Sequence, residues 1–369
     1  MSNTSDSITA QQAQAEQQTG QGSSASSANP SLQSATDIRL AETFRQDFPI
    51  GAAVSAHTIH SQRELLLQQY NSLTAENEMK FICIHPEEHR YTFEQADAIA
   101  DFARQHQLGL RGHTFVWHNQ TPDWVFQNEQ GGKADRATLL ARLQQHMETV
   151  MGRYRDIIRC WDVVNEAISD EDGTYLRPTP WLEGVGDDYI ARAFEMAHAI
   201  DPQALLFYND YNESHPGKCD RICRLMRELL DEGVPVHGVG LQAHWNIHDP
   251  SLDQIRAAIE KYAALGLQLQ VTEMDVSMFA FDDRRTDLKA PTAEMVRMQE
   301  ERYRAYFQLF HEYREVLTSV TFWGAADDYT WLDGFPVRGR KNWPLLFDEQ
   351  QQPKAVCYDI VRARQELER

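Results

Sequence analysis

Short apolar runs, often β-branched, alternate with longer stretches of helical period from about residue 38 onward, and eight such runs can be counted. That alternation marks repeated β-α units, and eight of them predict an α/β chain folded as a single (β/α)8 TIM barrel. Polar and ionisable residues stand just after seven of the eight runs, and a parallel barrel gathers its reactive side chains at the carboxyl ends of its strands. At 369 residues the chain is long enough for one large core, and barrels of this size form one domain rather than two.

The first two strands are read at Ile50 to Val54 and Ser72 to Ala75, the second followed by Glu76-Asn77-Glu78-Met79-Lys80. Gly109 to Val116 leads into Trp117-His118, and Arg159 to Val164 into Asn165-Glu166. Ala204 to Tyr208 precedes Asn209-Asp210-Tyr211-Asn212, and His237 to Gln242 precedes His244. Leu267 to Thr272 runs into Glu273, and Ser319 to Phe322 into Trp323. Between them, Thr92 to Gln107, Arg136 to Tyr154, Asp187 to Ala199, Lys218 to Glu232, Leu252 to Leu265 and Thr292 to Tyr313 carry apolar residues three or four apart. Each therefore has a face to lay on the barrel and a polar remainder for solvent. Gly109 after one helix, and Gly233 with Pro235 after another, read as stop signals. Tyr306 and Phe310, four apart on one helix face, read as a packing stripe.

Residues 1–37 are rich in Ser, Gln, Ala and Thr with almost no large apolar side chains, too little to offset the entropy of ordering. They are expected to form a disordered tail before a catalytic domain at 38–369. The tail lacks the basic start and apolar core of a secretory signal. Five cysteines, an odd number, fit reduced thiols in a cytoplasmic protein better than a disulfide framework. Cys219 and Cys223 lie one helical turn apart with no second pair nearby, which speaks against a metal site. With 35 basic against 55 acidic residues the formal charge is −20, which repels nucleic acid and anionic lipid but is no obstacle to a neutral partner. Apolar residues are too dispersed for a membrane span.

The chemistry is carried by Trp161-Asp162-Val163-Val164-Asn165-Glu166 and by the second run that ends in Thr272-Glu273. Two carboxyls set at two strand ends suit glycoside hydrolysis, in which one acid protonates the leaving oxygen while the other attacks or stabilises the sugar carbon. An Asn-Glu or Thr-Glu pair has a plainer use as a helix N-cap. Two such acids with aromatic residues around them weigh against capping. The separation of 107 residues (273 minus 166) is silent on which acid does which job.

Thr74-Ala75-Glu76-Asn77-Glu78-Met79-Lys80, Gly112-His113-Thr114-Phe115-Val116-Trp117-His118, Trp161 to Ala167, Thr272-Glu273-Met274-Asp275-Val276 and Thr321-Phe322-Trp323-Gly324 occur in this order. From about Phe48 to Tyr358 the chain thereby resembles the family 10 endo-1,4-β-xylanases. The resemblance implies an eightfold barrel, no metal or other cofactor, retention of anomeric configuration and cleavage inside β-1,4-xylose chains. It implies Glu166 as general acid and base and Glu273 as nucleophile. It also places Asn165 on the sugar 2-hydroxyl and His244 on the nucleophile, with Asp275 orienting His244. Asn77, Glu78, Lys80, His113, Trp117 and Gln242 resemble the polar wall around the two sugars on the non-reducing side, where Trp323 and Trp331 offer flat faces for pyranose rings. Asn209, Tyr211 and Asn212 resemble residues on the leaving-group side. Ala325 to Asp328 fits the intracellular branch, so the expected partners are xylan or short xylooligosaccharides, with neither nucleic acid nor membrane.

Other readings remain open at this level. A β-1,4-glucanase would use the same carboxylates. A metal-dependent hydrolase would use His113, His118 and His244, which lack an accompanying Asp cluster. A non-catalytic sugar-binding protein would have no need of both glutamates. Arg338, Arg340 and Lys341 form a basic stretch that either meets acidic sugar side groups or, the preferred reading, pairs with the acidic body.

Overall fold

The computed structural model describes residues 38–367, so the expected N-terminal tail lies outside the described residues. The strands are β1 (Ile50–Val54), β2 (Ser72–Ala75), β3 (Gly109–Val116), β4 (Ile158–Asn165), β5 (Leu205–Asp210), β6 (Gly238–Leu241), β7 (His244–Asn246), β8 (Gln268–Ser277) and β9 (Leu317–Phe322). Every pairing is parallel, and β6 bonds β8 while β9 returns to β1, which closes β1–β6, β8 and β9 into the eight-stranded barrel. The six helices read from period are present at Glu94–His106, Arg136–Tyr154, Tyr189–Ile200, Pro216–Asp231, Leu252–Ala263 and Ala293–Glu312. Their buried faces cover the barrel, and Tyr306 and Phe310 are fully buried in that layer.

The structure corrects several boundaries. β8 runs past the expected end at Thr272 to Ser277, because Met274 and Val276 continue the buried pattern. Glu273 therefore sits within a strand, its backbone N–H bonded to the Gln242 carbonyl at 3.1 Å. Short β7 was not anticipated. It pairs with the outer end of β8 in a register that sets His244 opposite Asp275. Gly109 begins β3 rather than stopping the preceding helix, which ends at His106 with Gln107 in a left-handed cap at φ +57°. Gly233, at φ +73°, does follow its helix, a backbone that glycine adopts without steric cost.

A closing helix, Ala355–Glu366, was also not anticipated. Its Arg364 guanidinium bonds the buried Asp47 carboxylate at 2.5 and 3.1 Å, joining the two ends of the folded chain. Of the basic stretch, Arg340 is buried with Nη1 on the Asp283 carbonyl, and Lys341 pairs with Asp333 at 2.8 Å and Glu349 at 3.1 Å. Arg338 is exposed.

Candidate active site

Inside the barrel, β3 and β4 face each other with Arg111 and Asp162. The Arg111 guanidinium forks onto both Asp162 oxygens at 2.8 and 2.6 Å, and its Nε bonds Gln270 at 2.6 Å. Burial opposes ionisation of Asp162, but Arg111 and His113 outweigh it and hold the carboxyl below its ordinary range. His113 bonds Asp162 through Nδ1 at 2.9 Å and lies 3.9 Å from Glu273. This polar column extends upward to the carboxyl ends of the strands, where the candidate acids stand.

Glu166 follows the last residue of β4 in left-handed backbone, φ +57°. No helix starts there, since the next begins at Pro180 and is capped by Thr179, so the capping reading of Asn165-Glu166 does not hold. The β4–β5 register sets Asn165 against Asn209. Asn209 donates through Nδ2 to Asn165 Oδ1 at 2.9 Å and to Glu273 Oε1 at 2.7 Å, and its own Oδ1 accepts from Thr272 at 2.6 Å. The residue expected on the leaving-group side is instead fully buried beneath both acids. Gly240 on β6 makes room for it: a Cβ there would stand 2.2 Å from Asn209 Oδ1.

Glu166 and Glu273 are both buried, yet their surroundings drive them apart. Burial and the charge of Asp210 raise the Glu166 pKa, only partly offset by hydrogen bonds from Gln242 at 3.0 Å and Trp117 Nε1 at 2.8 Å. Glu273 also feels burial, but His113 and His244 overcome it and lower its pKa. His244 bonds Asp275 through Nδ1 at 2.9 Å and Glu273 through Nε2 at 3.2 Å. Burial would discharge this histidine, but Asp275 and Glu273 push its pKa up to about 10. Near neutral pH it is a cation donating at both nitrogens. The surroundings thereby favour the protonated form of one acid and the ionised form of the other, the direction of the division of labour that a pair of hydrolytic carboxyls needs.

The chain matches the family model described as glycosyl hydrolase family 10 over residues 39–363. It belongs to glycosyl hydrolase family 10. Among the relatives of this family-10 chain, endo-1,4-beta-xylanase B of Paenibacillus barcinonensis is 57% identical over 87% of this chain and 97% of the relative. Endo-1,4-beta-xylanase of Geobacillus stearothermophilus is 55% identical over 87% of this chain and 97% of the relative. A crystal structure of a xylanase from Paenibacillus barcinonensis with a conduramine derivative superposes with a TM-score of 0.87 at 56% identity, covering 88% of this chain and 98% of the other.

Around the family-10 carboxyl pair, Asn165 has Nδ2 turned to Glu166 at 3.2 Å, and Gln242 donates to both Asn165 and Glu166. Lys80 bonds Asn77 at 3.0 Å and lies 4.9 Å from the centre of the Trp117 ring. Burial lowers the Lys80 pKa, with Glu273 opposing. Glu78 is nearby, but Oε1 is held by the Ala56 N–H at 2.7 Å and Oε2 by the Asn77 N–H at 3.2 Å. Trp323 meets His113 edge-on at 5.5 Å. Trp331 donates to Asp275 at 2.8 Å and stacks one face on Phe335 at 5.2 Å, so its indole both braces the His244–Asp275 pair and extends an aromatic surface.

Tyr211 and exposed Asn212 lie apart from the pair, in a cluster with Asp170, Arg177 and Lys218. Lys218 is buried and bridges Asp170 and Asp210 at 2.8 Å each. Asp162, Arg111, Asp210 and the Asp170, Arg177 and Lys218 members of this cluster are not singled out in the sequence as parts of the site. Their proximity depends on contacts between residues up to 159 positions apart. Among the described residues no group of three or more His, Cys, Asp or Glu side chains converges as a metal site.

Proposed function

We propose that this chain is an endo-1,4-β-xylanase that cleaves β-1,4-xylosidic bonds with retention by double displacement. The observation that carries the reading is the opposed pair of buried carboxyls: Glu166 with a raised pKa and Glu273 with a lowered one. Family membership and the names of the relatives supply the sugar.

In the first step ionised Glu273 attacks the anomeric carbon while Glu166 delivers its proton to the departing glycosidic oxygen, leaving a glycosyl ester on Glu273. Esterification removes the negative charge of Glu273, which raises the Glu166 pKa, so Glu166 ionises more readily in the second step. It then takes a proton from water, whose oxygen attacks the same carbon and releases Glu273. Asn165 contacts the sugar 2-hydroxyl, and His244 with Asp275 keeps Glu273 charged and fixed in direction. Asn77, Glu78, Lys80, His113, Trp117, Gln242, Trp323 and Trp331 hold the sugars on the non-reducing side. Tyr211 and Asn212 receive the leaving portion.

Substitution Glu273→Ala should abolish turnover, and azide should restore it with a product of inverted configuration. An azide-rescued inverted product from Glu166→Ala instead would reverse the two roles. Residues 38–369 form the catalytic domain in this reading. A cytoplasmic setting is supported by five free thiols, and cell fractionation tests it; short xylooligosaccharides are the substrates that such a setting would supply. No helix among the described residues is long and apolar enough to cross a membrane.

A further inference from the structure

A left-handed backbone is poorly tolerated by a residue with a Cβ and persists only where its surroundings hold it. Glu166 has such a backbone. Its N–H is tied to the Asn209 carbonyl at 2.9 Å, a bond supplied by the barrel sheet. Its carbonyl accepts a hydrogen bond from Arg177 Nε at 2.9 Å. Arg177 comes from the irregular segment after β4, and its own N–H bonds the Ala167 carbonyl at 2.8 Å, folding the segment back on the strand end.

The guanidinium is itself fixed. Nη2 bonds Asp170 at 2.7 Å, the Tyr211 hydroxyl at 2.9 Å and the Ile168 carbonyl at 3.3 Å, and the group lies 5.7 Å from the Tyr211 ring centre. Asp170 is anchored in turn by Lys218 at 2.8 Å. Arg177 therefore spans the distance between the peptide of Glu166 and a residue assigned to the leaving-group side. Neither contact belongs to the strand pairings that close the barrel.

We infer that Arg177 is a positioning residue for proton transfer: by gripping the Glu166 carbonyl it fixes the left-handed peptide from which the carboxyl is aimed at the leaving oxygen. The inference rests on Glu166 being the general acid and base. A rotated peptide would swing the carboxyl off the line of the glycosidic oxygen while leaving Glu273 and its partners in place. The loss should then fall on leaving groups that need a proton and spare those that do not.

The test compares Arg177→Met, Arg177→Lys and Glu166→Ala with wild type on two aryl β-xylobiosides, one releasing phenol and the other 2,4-dinitrophenol. For Arg177→Met, kcat/KM on the phenyl substrate should fall about 100-fold and on the dinitrophenyl substrate by less than about threefold. On the latter kcat and KM should drop together, because water attack on the ester has slowed. Arg177→Lys should show the same split at smaller size, and it keeps a cation for Asp170 if the Met variant fails to fold. Equal losses on both substrates, or no loss, in the folded Arg177 variants would overturn the inference while Glu166→Ala keeps its own split. Absence of a split in Glu166→Ala would overturn the role of Glu166 itself.

Discussion

Asp275→Asn isolates the device that keeps the proposed nucleophile charged. One Asp275 oxygen accepts from both His244 Nδ1 and Trp331 Nε1, and the substitution keeps the shape while removing the negative charge. The rise of His244 from 6.5 to about 10 corresponds to roughly 5 kcal/mol in favour of its cation. Asp275 is the largest contributor favouring the cation, ahead of Glu273. The variant should therefore bring His244 down toward neutral pH, since burial still opposes its charge. The folded pKa lies above the unfolded value, so the stabilisation is complete below about pH 6.5 and is lost as pH rises through about 10. Wild type should give up roughly 2 kcal/mol of it between about pH 6.5 and 8.5, and the variant less, because its window is narrower. Nitrogen-15 NMR of the His244 ring across pH reads the titration directly, and chemical denaturation at the two pH values reads the linkage. A histidine still protonated at pH 9 in Asp275→Asn would refute the assignment of its charge to Asp275.

Two further outcomes follow from the same geometry. Gln242→Met removes a hydrogen bond that lowers the Glu166 pKa, so the alkaline limb of the kcat/KM profile should move to higher pH; a move to lower pH would contradict the role given to that bond. Gly240→Ala puts a methyl 2.2 Å from Asn209 Oδ1 and 2.9 Å from the Thr272 methyl, which should cost about 1–3 kcal/mol in calorimetry and lower kcat at least about tenfold by disturbing the Asn209 bond to Glu273.

The barrel was legible because each of its strands is a short apolar run and the intervening helices bury one stripe. β7 was not, since three residues held by pairing with β8 leave no pattern of their own. The closing helix lay beyond the last strand, where the β-α alternation that marked the others had ended. At the site, residues directly after strands were legible from position, and the resemblance supplied their roles. Position places Glu78 beside the site but carries no sign that the Ala56 and Asn77 backbone amides hold its two oxygens. Asn209 was placed on the leaving-group side, and only the β4–β5 register and the space at Gly240 put it under both acids. Arg177 carried no signal, because a lone arginine before a proline looks like solvated surface until its partners are seen.

The clasp between Asp47 and Arg364 has a bearing on how the protein is made. Asp47 precedes the first strand, and its partner is 317 residues later. A ribosome delivers the amino-terminal half of this barrel well before β9, which pairs with β1, and the Arg364 side of the clasp exist. Final closure between the first and last strands is thus postponed until nearly the whole polypeptide has emerged. Carboxy-terminal truncations that remove Ala355–Glu366 would release a chain with all eight barrel strands but a buried Asp47 carboxylate stripped of its guanidinium and left with His311 Nδ1 at 3.1 Å, a substrate for cellular quality control rather than a smaller enzyme.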